Sequence, residues 1–250
     1  MTQDLFRQDA YQRECNAHIT AITDTGAIVL DRTVFYPLGG GQAGDSGVLV
    51  LADGTEITIA DTRKGKDAEG NATNEIVHVP AAGQEERVAQ LAAGTALTAR
   101  IDWERRHRMM RLHTTSHLLC HVVPQLVNGC SITPDYARLD FAMTDPLDKE
   151  QLTAAIATLV AAAHPLTVAS ISDEELDANP ALVKSMSVQP PRGSGRIRTI
   201  RIGGDDAPLI DLQPCGGTHV ANTSEIGAVV VTKIEKKSAT TRRVVLGFAQ

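Results

Sequence analysis

Two short stretches, His113-Thr-Thr-Ser-His117 and Cys215-Gly-Gly-Thr-His219, stand far apart in the chain and constrain its fold more than any other feature. Histidines four residues apart lie on one face of a helix, so the first stretch presents two imidazoles side by side. The glycines between Cys215 and His219 allow a turn that folds thiol and imidazole toward one point. A fold that brings the two stretches together assembles three imidazoles and one thiolate, a tetrahedral donor set that points to zinc. His121 continues the same helix face by one turn and is read as a neighbour, since four ligands are already available. Cys120 and Cys130 are read as core or helix-end thiols. A zinc peptidase would need Glu directly after its first histidine as general base, and here that position is Thr114. No nucleophile elbow of a serine or cysteine hydrolase is present.

The hydrophobic period changes once, near residue 100. Before it, "AHITAIT", "AIVLDRT", "GVLVLA", "TEITIADT", "EIVHV" and "ALTARID" are short β-branched runs separated by Gly, Asp and Asn turns. Strands at this spacing predict a small barrel or sandwich over 1–100, with "KGKDAEGNATN" as a polar loop and at most a short helix in "GQEERVAQLA". Beyond Asp102 the pattern becomes helical: Met109, Leu112, Ser116, Leu119, Val123 and Leu126 recur at three and four residues, with Pro124 kinking the helix or closing it. A second helix is expected from "TDPLDKEQLTAAIATLVAAA", with Asp145 as N-cap and Pro146 at its first position. Ser172 and Glu175 announce a third through a capping box. The strands "YARLDFAM", "TVASIS", "GRIRTIRI", "PLIDLQ", "AVVVTKIEKK" and "RRVVLGFA" make 101–250 an α+β domain.

The net charge is −6 and its acidic excess lies in the first part of the chain. Basic residues nevertheless cluster, as Arg105, Arg106, Arg108 and Arg111; as Arg192, Arg196, Arg198 and Arg201; and as Lys233, Lys236, Lys237, Arg242 and Arg243. Such clusters fit nucleic-acid phosphates or an ordinary solvated surface equally well. Aromatic residues are only 3% of the chain, which disfavours rows of stacked single-stranded bases. No apolar run reaches the length of a membrane span and the N-terminus has no secretory pattern, so a cytoplasmic protein with scattered, reduced cysteines is expected.

With these residues in hand the chain resembles a known family. "RLHTTSHLL", "ARLDF" and "CGGTHVANTSEIG…KIEKK…RRV" are similar to the editing domain of alanyl-tRNA synthetases, and more specifically to the free-standing AlaX proteins that hydrolyse mischarged tRNA(Ala). "FYPLGGGQAGDSG" resembles the glycine-rich motif of the longer AlaX type, carried on an N-terminal β-barrel. The resemblance implies an α+β fold in which a small barrel precedes an editing domain of the threonyl/alanyl-tRNA synthetase second additional domain type. It implies Zn2+ held by His113, His117, Cys215 and His219, with aminoacylated tRNA(Ala) as the partner and neither membrane nor ATP. The implied reaction is hydrolysis of the ester in Ser-tRNA(Ala) or Gly-tRNA(Ala), with His113, His117, Cys215 and Gln42 catalytic. Gly39, Gly40, Gly41, Thr114, Thr115, Ser116, Arg105 and Arg108 are the implied substrate contacts. "PQLVNGCSITPDY" departs from the family by lacking a Gln-rich helix end, which leaves one side of the pocket unassigned.

Four protein ligands describe a closed zinc site, whereas catalytic zinc keeps a position open. A loose ligand, an expanded coordination sphere, or water activated by the substrate's own hydroxyl would each reconcile the two. A structural-zinc module that binds RNA without turnover, and a zinc hydrolase of another acyl ester, share the same residues.

Overall fold

The computed structural model describes residues 2–67, 69–190, 195–204 and 208–249. It divides into two compact units, Met1–Gly39 with Ala43–His107, and Gly40–Gln42 with Arg108–Gln250. The fold is mixed, with several sheets and few helices, and among the described residues no helix is long and apolar enough to cross a membrane.

The first unit holds β1 (Gln3–Asp4), α1 (Leu5–Gln8), β2 (Glu14–Ile22), β3 (Ile28–Leu30), β4 (Arg32–Thr33), β5 (Gly47–Leu51), β6 (Glu56–Lys66), β7 (Ala72–Pro80), α2 (Glu85–Val88) and β8 (Ala96–Ile101). Six strands hydrogen-bond in the closed order β2-β3-β7-β6-β5-β8, each pair antiparallel, with β8 returning to β2. Alternation along β6 sends Ile57 and Ile59 inward to meet Ile19, Leu30, Leu49 and Ala99, while the residues between them face solvent. The segment 64–74 is expected as a loop, yet its residues 64–66 and 72–74 extend β6 and β7: Lys64 pairs with Ile76 and Lys66 with Ala72. Polar side chains conceal a strand from a hydrophobicity reading when the hairpin projects into water.

Two buried polar arrangements in this unit bear on its charge and stability, the Arg106–Asp45 pair and His78. Arg106 and Asp45 are both fully enclosed: Arg106 Nε donates to both carboxylate oxygens at 3.0 Å, Nη2 donates to Asp45 and to Val34 O, and Nη1 donates to Ala10 O. Arg106 therefore leaves the set of residues able to meet a phosphate, because a buried, fully paired guanidinium has no donor to offer solvent.

The second is His78, whose Nδ1–H donates to Ile28 O at 2.9 Å and whose Nε2 accepts from Thr33 Oγ1 at 2.8 Å. Burial pushes its pKa from 6.5 down to about 4. The folded chain thus refuses a proton that the unfolded chain takes up below 6.5, and stability from this group is lost as pH falls toward 4. Between pH 7 and pH 5 the loss should be about 2 kcal/mol. Urea unfolding followed by fluorescence of Trp103, which packs on this core, should show that pH dependence in the wild type and a shallower one in His78→Gln. Parallel curves for the two proteins would contradict it.

The helix α3 (Trp103–Val122) runs from the end of the first unit into the second. The second unit continues with β9 (Val127–Ile132), β10 (Tyr136–Ala142), α4 (Lys149–Ala161), β11 (Leu166–Ile171), α5 (Asp173–Ala178), β12 (Ile197–Ile202), β13 (Asp211–Pro214), β14 (Val229–Ser238) and β15 (Thr241–Phe248). One antiparallel sheet has the order β14-β15-β10-β9 and another β11-β12-β13. Met109, Met110 and all of Leu112–Cys120 are buried, so α3 is enclosed on every side rather than along one stripe. The helix ends at Val122. Pro124 lies just outside it, and Leu126, expected on its apolar face, is exposed at 49%.

The cap of α4 is Asp148, whose carboxylate accepts from Gln151 N at 2.8 Å, rather than Asp145. Both positions fit a sequence rule, and only Asp148 stands where its oxygen reaches the first turn. The capping box at Ser172 and Glu175 is present. β9 arises within "PQLVNGCSITPDY", read from the sequence only as a connection, because its single glycine and polar residues mask a strand that pairs with β10.

Candidate metal centre

The CGGTH turn follows β13, and α3 supplies the histidines that face it. The ligand atoms of His113, His117, Cys215 and His219 all lie within 4.8 Å of one another, close enough for the group to hold a metal ion. Cys215 Sγ is 3.5 Å from His113 Nε2 and 3.3 Å from His219 Nε2. The ring centroids of His113 and His219 are 4.2 Å apart, those of His117 and His219 4.6 Å. The three imidazoles are buried and Cys215 is half-buried, with the exposed Gly216 beside it.

Each imidazole has a partner at Nδ1, which leaves Nε2 for the centre. His113 Nδ1–H donates to Gln42 Oε1 at 2.8 Å, and His117 Nδ1–H donates to Asp211 Oδ2 at 2.8 Å. His219 Nδ1 lies 3.2 Å from Thr114 Oγ1. Outer partners of this kind fix tautomer and ring orientation in histidine metal sites. The donor set, its spacing and these outer bonds together fit a bound metal ion.

Burial would raise the Cys215 thiol, but the neighbouring His113 and His219 outweigh it and hold the thiol well below its usual range, as thiolate. Burial, and then the neighbouring His113, push His219 well below its ordinary value, leaving it neutral. Burial would also lower His117, yet its hydrogen bonds to Asp211 and Cys215 push it up to about 9. Thiolate and neutral imidazole are the ligating forms, and at neutral pH a metal entering the site has to displace the proton on His117.

Gln42 belongs to the second unit through the three-residue segment Gly40–Gln42. It is fully buried, and its amide is committed: Nε2 donates to Thr218 Oγ1 at 2.9 Å, while Oε1 also accepts from Thr218 N at 3.1 Å. The segment docks along β9, where Ile132 N donates to Gly41 O at 2.8 Å. Gly40 and Gly41 have φ of 57° and 86°, and a Cβ on Gly41 would stand 2.3 Å from Cys130 Sγ.

Thr114 Oγ1 also accepts from Val220 N at 3.3 Å. The hydroxyls of Thr115 and Ser116 donate to the carbonyls of Arg111 and Leu112 one turn back. Arg105 donates to Gly44 O, and Arg108 donates to Pro134 O and covers the Phe248 ring. Gly39 accepts from the Tyr36 hydroxyl at 2.9 Å. His121 is exposed and outside the cluster.

The basic clusters are largely committed within the protein. Arg111 donates to Ile226 O, Arg198 to Cys215 O and Gly217 O, and Arg201 to the carbonyls of Gly203 and Gly204. Arg196 donates to Ser170, Arg242 is buried against Thr144 O, and Arg243 pairs with Asp140 at 2.6 Å. Arg192 lies outside the described residues. Of the third cluster, Lys236 and Lys237 stay exposed, and Lys233 is exposed beside Glu235.

The sequence reading missed Asp211, Gln213 and Gly217. Asp211, Gln213 and Cys215 alternate along one strand and its end, so period two put them on one side as soon as Cys215 was identified. Gly217 is held by space: a Cβ there would stand 2.2 Å from His113 Cε1 and 2.8 Å from Gln42 Oε1. Gly217→Ala should therefore displace His113 and deplete bound metal, while Trp103 fluorescence still reports a folded first unit. Full metal content in that variant, measured by atomic emission, would contradict the packing described.

Residues 197–245 match the family model described as "Threonyl and Alanyl tRNA synthetase second additional domain", and residues 5–105 match that described as "tRNA synthetases class II (A)". The "Alanyl-tRNA editing protein AlaX-M" of Saccharolobus solfataricus is 33% identical over 98% of this chain and 98% of its own. That of Methanosarcina barkeri is 33% identical over 97% of each chain. The "Alanine--tRNA ligase" of Metallosphaera sedula is 34% identical over 94% of this chain, which spans 25% of the ligase.

Proposed function

We propose, for a chain that belongs to the AlaX-M family of alanyl-tRNA editing proteins, that the His113, His117, Cys215 and His219 cluster binds zinc and hydrolyses the ester of Ser-tRNA(Ala). Membership makes the chain an aminoacyl-tRNA deacylase. The observation that supports this metal-centred reading is the convergence of four ligand atoms within 4.8 Å, with all three imidazoles braced at Nδ1.

Zinc, when bound, supplies a Lewis acid for the ester carbonyl or for water. The chain's own residues supply the rest. Cys215 and the three histidines hold the ion, and the half-buried thiol side, with Gly216, admits the aminoacyl end of the tRNA. Gln42 acts by holding His113 and the CGGTH turn. Gly39, Gly40 and Gly41 are assigned to backbone contact with the terminal ribose; at Gly41 packing also requires glycine, because a side chain there would be forced into Cys130. Thr114, Thr115 and Ser116 offer the polar wall against which a serine hydroxyl is read: hydroxyls that donate to backbone carbonyls keep lone pairs to accept with. Arg105, Arg108, Lys236 and Lys237 are the cations assigned to tRNA phosphates. In this reading residues 1–100 form the domain that carries the glycine-rich motif, and 101–250 form the editing domain. Release of labelled serine from Ser-tRNA(Ala) tests the proposal: catalytic release supports it, while tight tRNA binding without release would make this a structural-metal RNA-binding module.

A further inference from the structure

Behind His117 the centre has an outer layer that goes beyond the four ligands. Asp211 is fully enclosed, and its two oxygens serve different partners. Oδ2 accepts from His117 Nδ1–H at 2.8 Å and from Gln213 Nε2 at 2.8 Å, while Oδ1 pairs with the Lys184 ammonium. Lys184 sits in no helix or strand, yet it is not loosely placed. Val127 N donates to Lys184 O at 2.8 Å, and Met186 N donates to Val127 O at 2.8 Å. These bonds fasten residues 184–186 alongside β9. The Lys184 side chain is 26% exposed, so it spans the distance from solvent to an enclosed carboxylate.

Among the outer partners of the imidazoles Asp211 is the charged one; Gln42, Thr114 and Gln213, whose Nε2 lies 3.1 Å from His117 Nδ1, are neutral. An enclosed carboxylate without a cation would be costly, and the Lys184 ammonium pairs with Asp211 directly. We infer that Asp211 and Lys184 are positioning residues for the metal centre: Asp211 fixes His117 with Nδ1 protonated and Nε2 free, and Lys184 holds Asp211 in the place where it can do so. The inference rests on the metal reading of the cluster and adds two residues to it.

Zinc affinity, measured by competition with a chromophoric chelator, is the readout, because a residue needed only for folding would change stability and leave that affinity alone. The wild type should bind zinc, Asp211→Asn should bind it roughly 10- to 100-fold more weakly, and Lys184→Met should move in the same direction by less. Lys184→Arg, which keeps the cation, should recover most of the loss. Lys184 is partly exposed, so its variants remain informative should Asp211→Asn fail to fold. Wild-type zinc affinity in both Asp211→Asn and Lys184→Met, or in Lys184→Met alone should Asp211→Asn fail to fold, would overturn the assignment while leaving the metal centre standing. A wild type that bound no zinc would overturn the metal reading and the assignment with it.

Discussion

Ser-tRNA(Ala) is expected to lose its amino acid roughly 10⁴-fold faster than Ala-tRNA(Ala) in the presence of this protein. The two differ by one hydroxyl, and alanine is the smaller, so no steric wall can admit serine and refuse alanine. A pocket that merely tolerates both would destroy the correct product. Polar recognition works differently, because groups arranged around the serine hydroxyl are left unpaired and dehydrated when alanine enters. In the proposed reading that task falls to Thr114, whose hydroxyl lies 3.2 Å from His219 Nδ1, and to the enclosed hydroxyls of Thr115 and Ser116. Ser116→Ala should narrow the serine-to-alanine ratio by slowing the serine reaction, with metal content unchanged. Gly-tRNA(Ala), lacking the hydroxyl, should be hydrolysed at a rate between the two. Equal rates on serine and alanine would show that this pocket does not edit.

Loss of a ligand should cost nearly as much. Removing Cys215 takes away the one anionic donor, and removing His117 also leaves the enclosed Asp211, with its partner Lys184, without the imidazole that joins them to the centre. Cys215→Ala and the double variant His113→Ala/His117→Ala should each retain little zinc. Metal activation is worth several kcal/mol of transition-state stabilisation, so about 4 kcal/mol, or roughly 10³-fold in rate, should be lost with it. Zinc at full occupancy in the double variant would show that the ion sits elsewhere.

The four-residue cluster was legible in the sequence because each half obeys a local rule: helical spacing for His113 and His117, a glycine turn for Cys215 and His219. The braces behind it were legible only in part. Gln42 is named through the glycine-rich motif, but as a catalytic residue and not as the partner of His113, which it reaches through a segment separated in sequence from the rest of its unit. Lys184 reaches Asp211 from a stretch with no regular structure and leaves no trace in any local window. The basic clusters misled for a related reason. Arg106 and Arg108 are neighbours in sequence, yet one is sealed against Asp45 and the other lies over Phe248. Cationic composition predicts a surface only where no carboxylate or carbonyl has already taken the donors. In α3 the apolar stripe was real but incomplete, since Thr114, Thr115 and Ser116 are buried through back-bonding to the helix's own carbonyls and a contact to His219.

The most direct test of a metal-dependent editing centre is release of serine from Ser-tRNA(Ala) by one preparation, assayed as purified, after removal of metal with a chelator, and after zinc is restored. Serine release should be lost with the metal and return on adding zinc, while Ala-tRNA(Ala) survives throughout. Undiminished release by metal-free protein, or none by zinc-loaded protein, would contradict it.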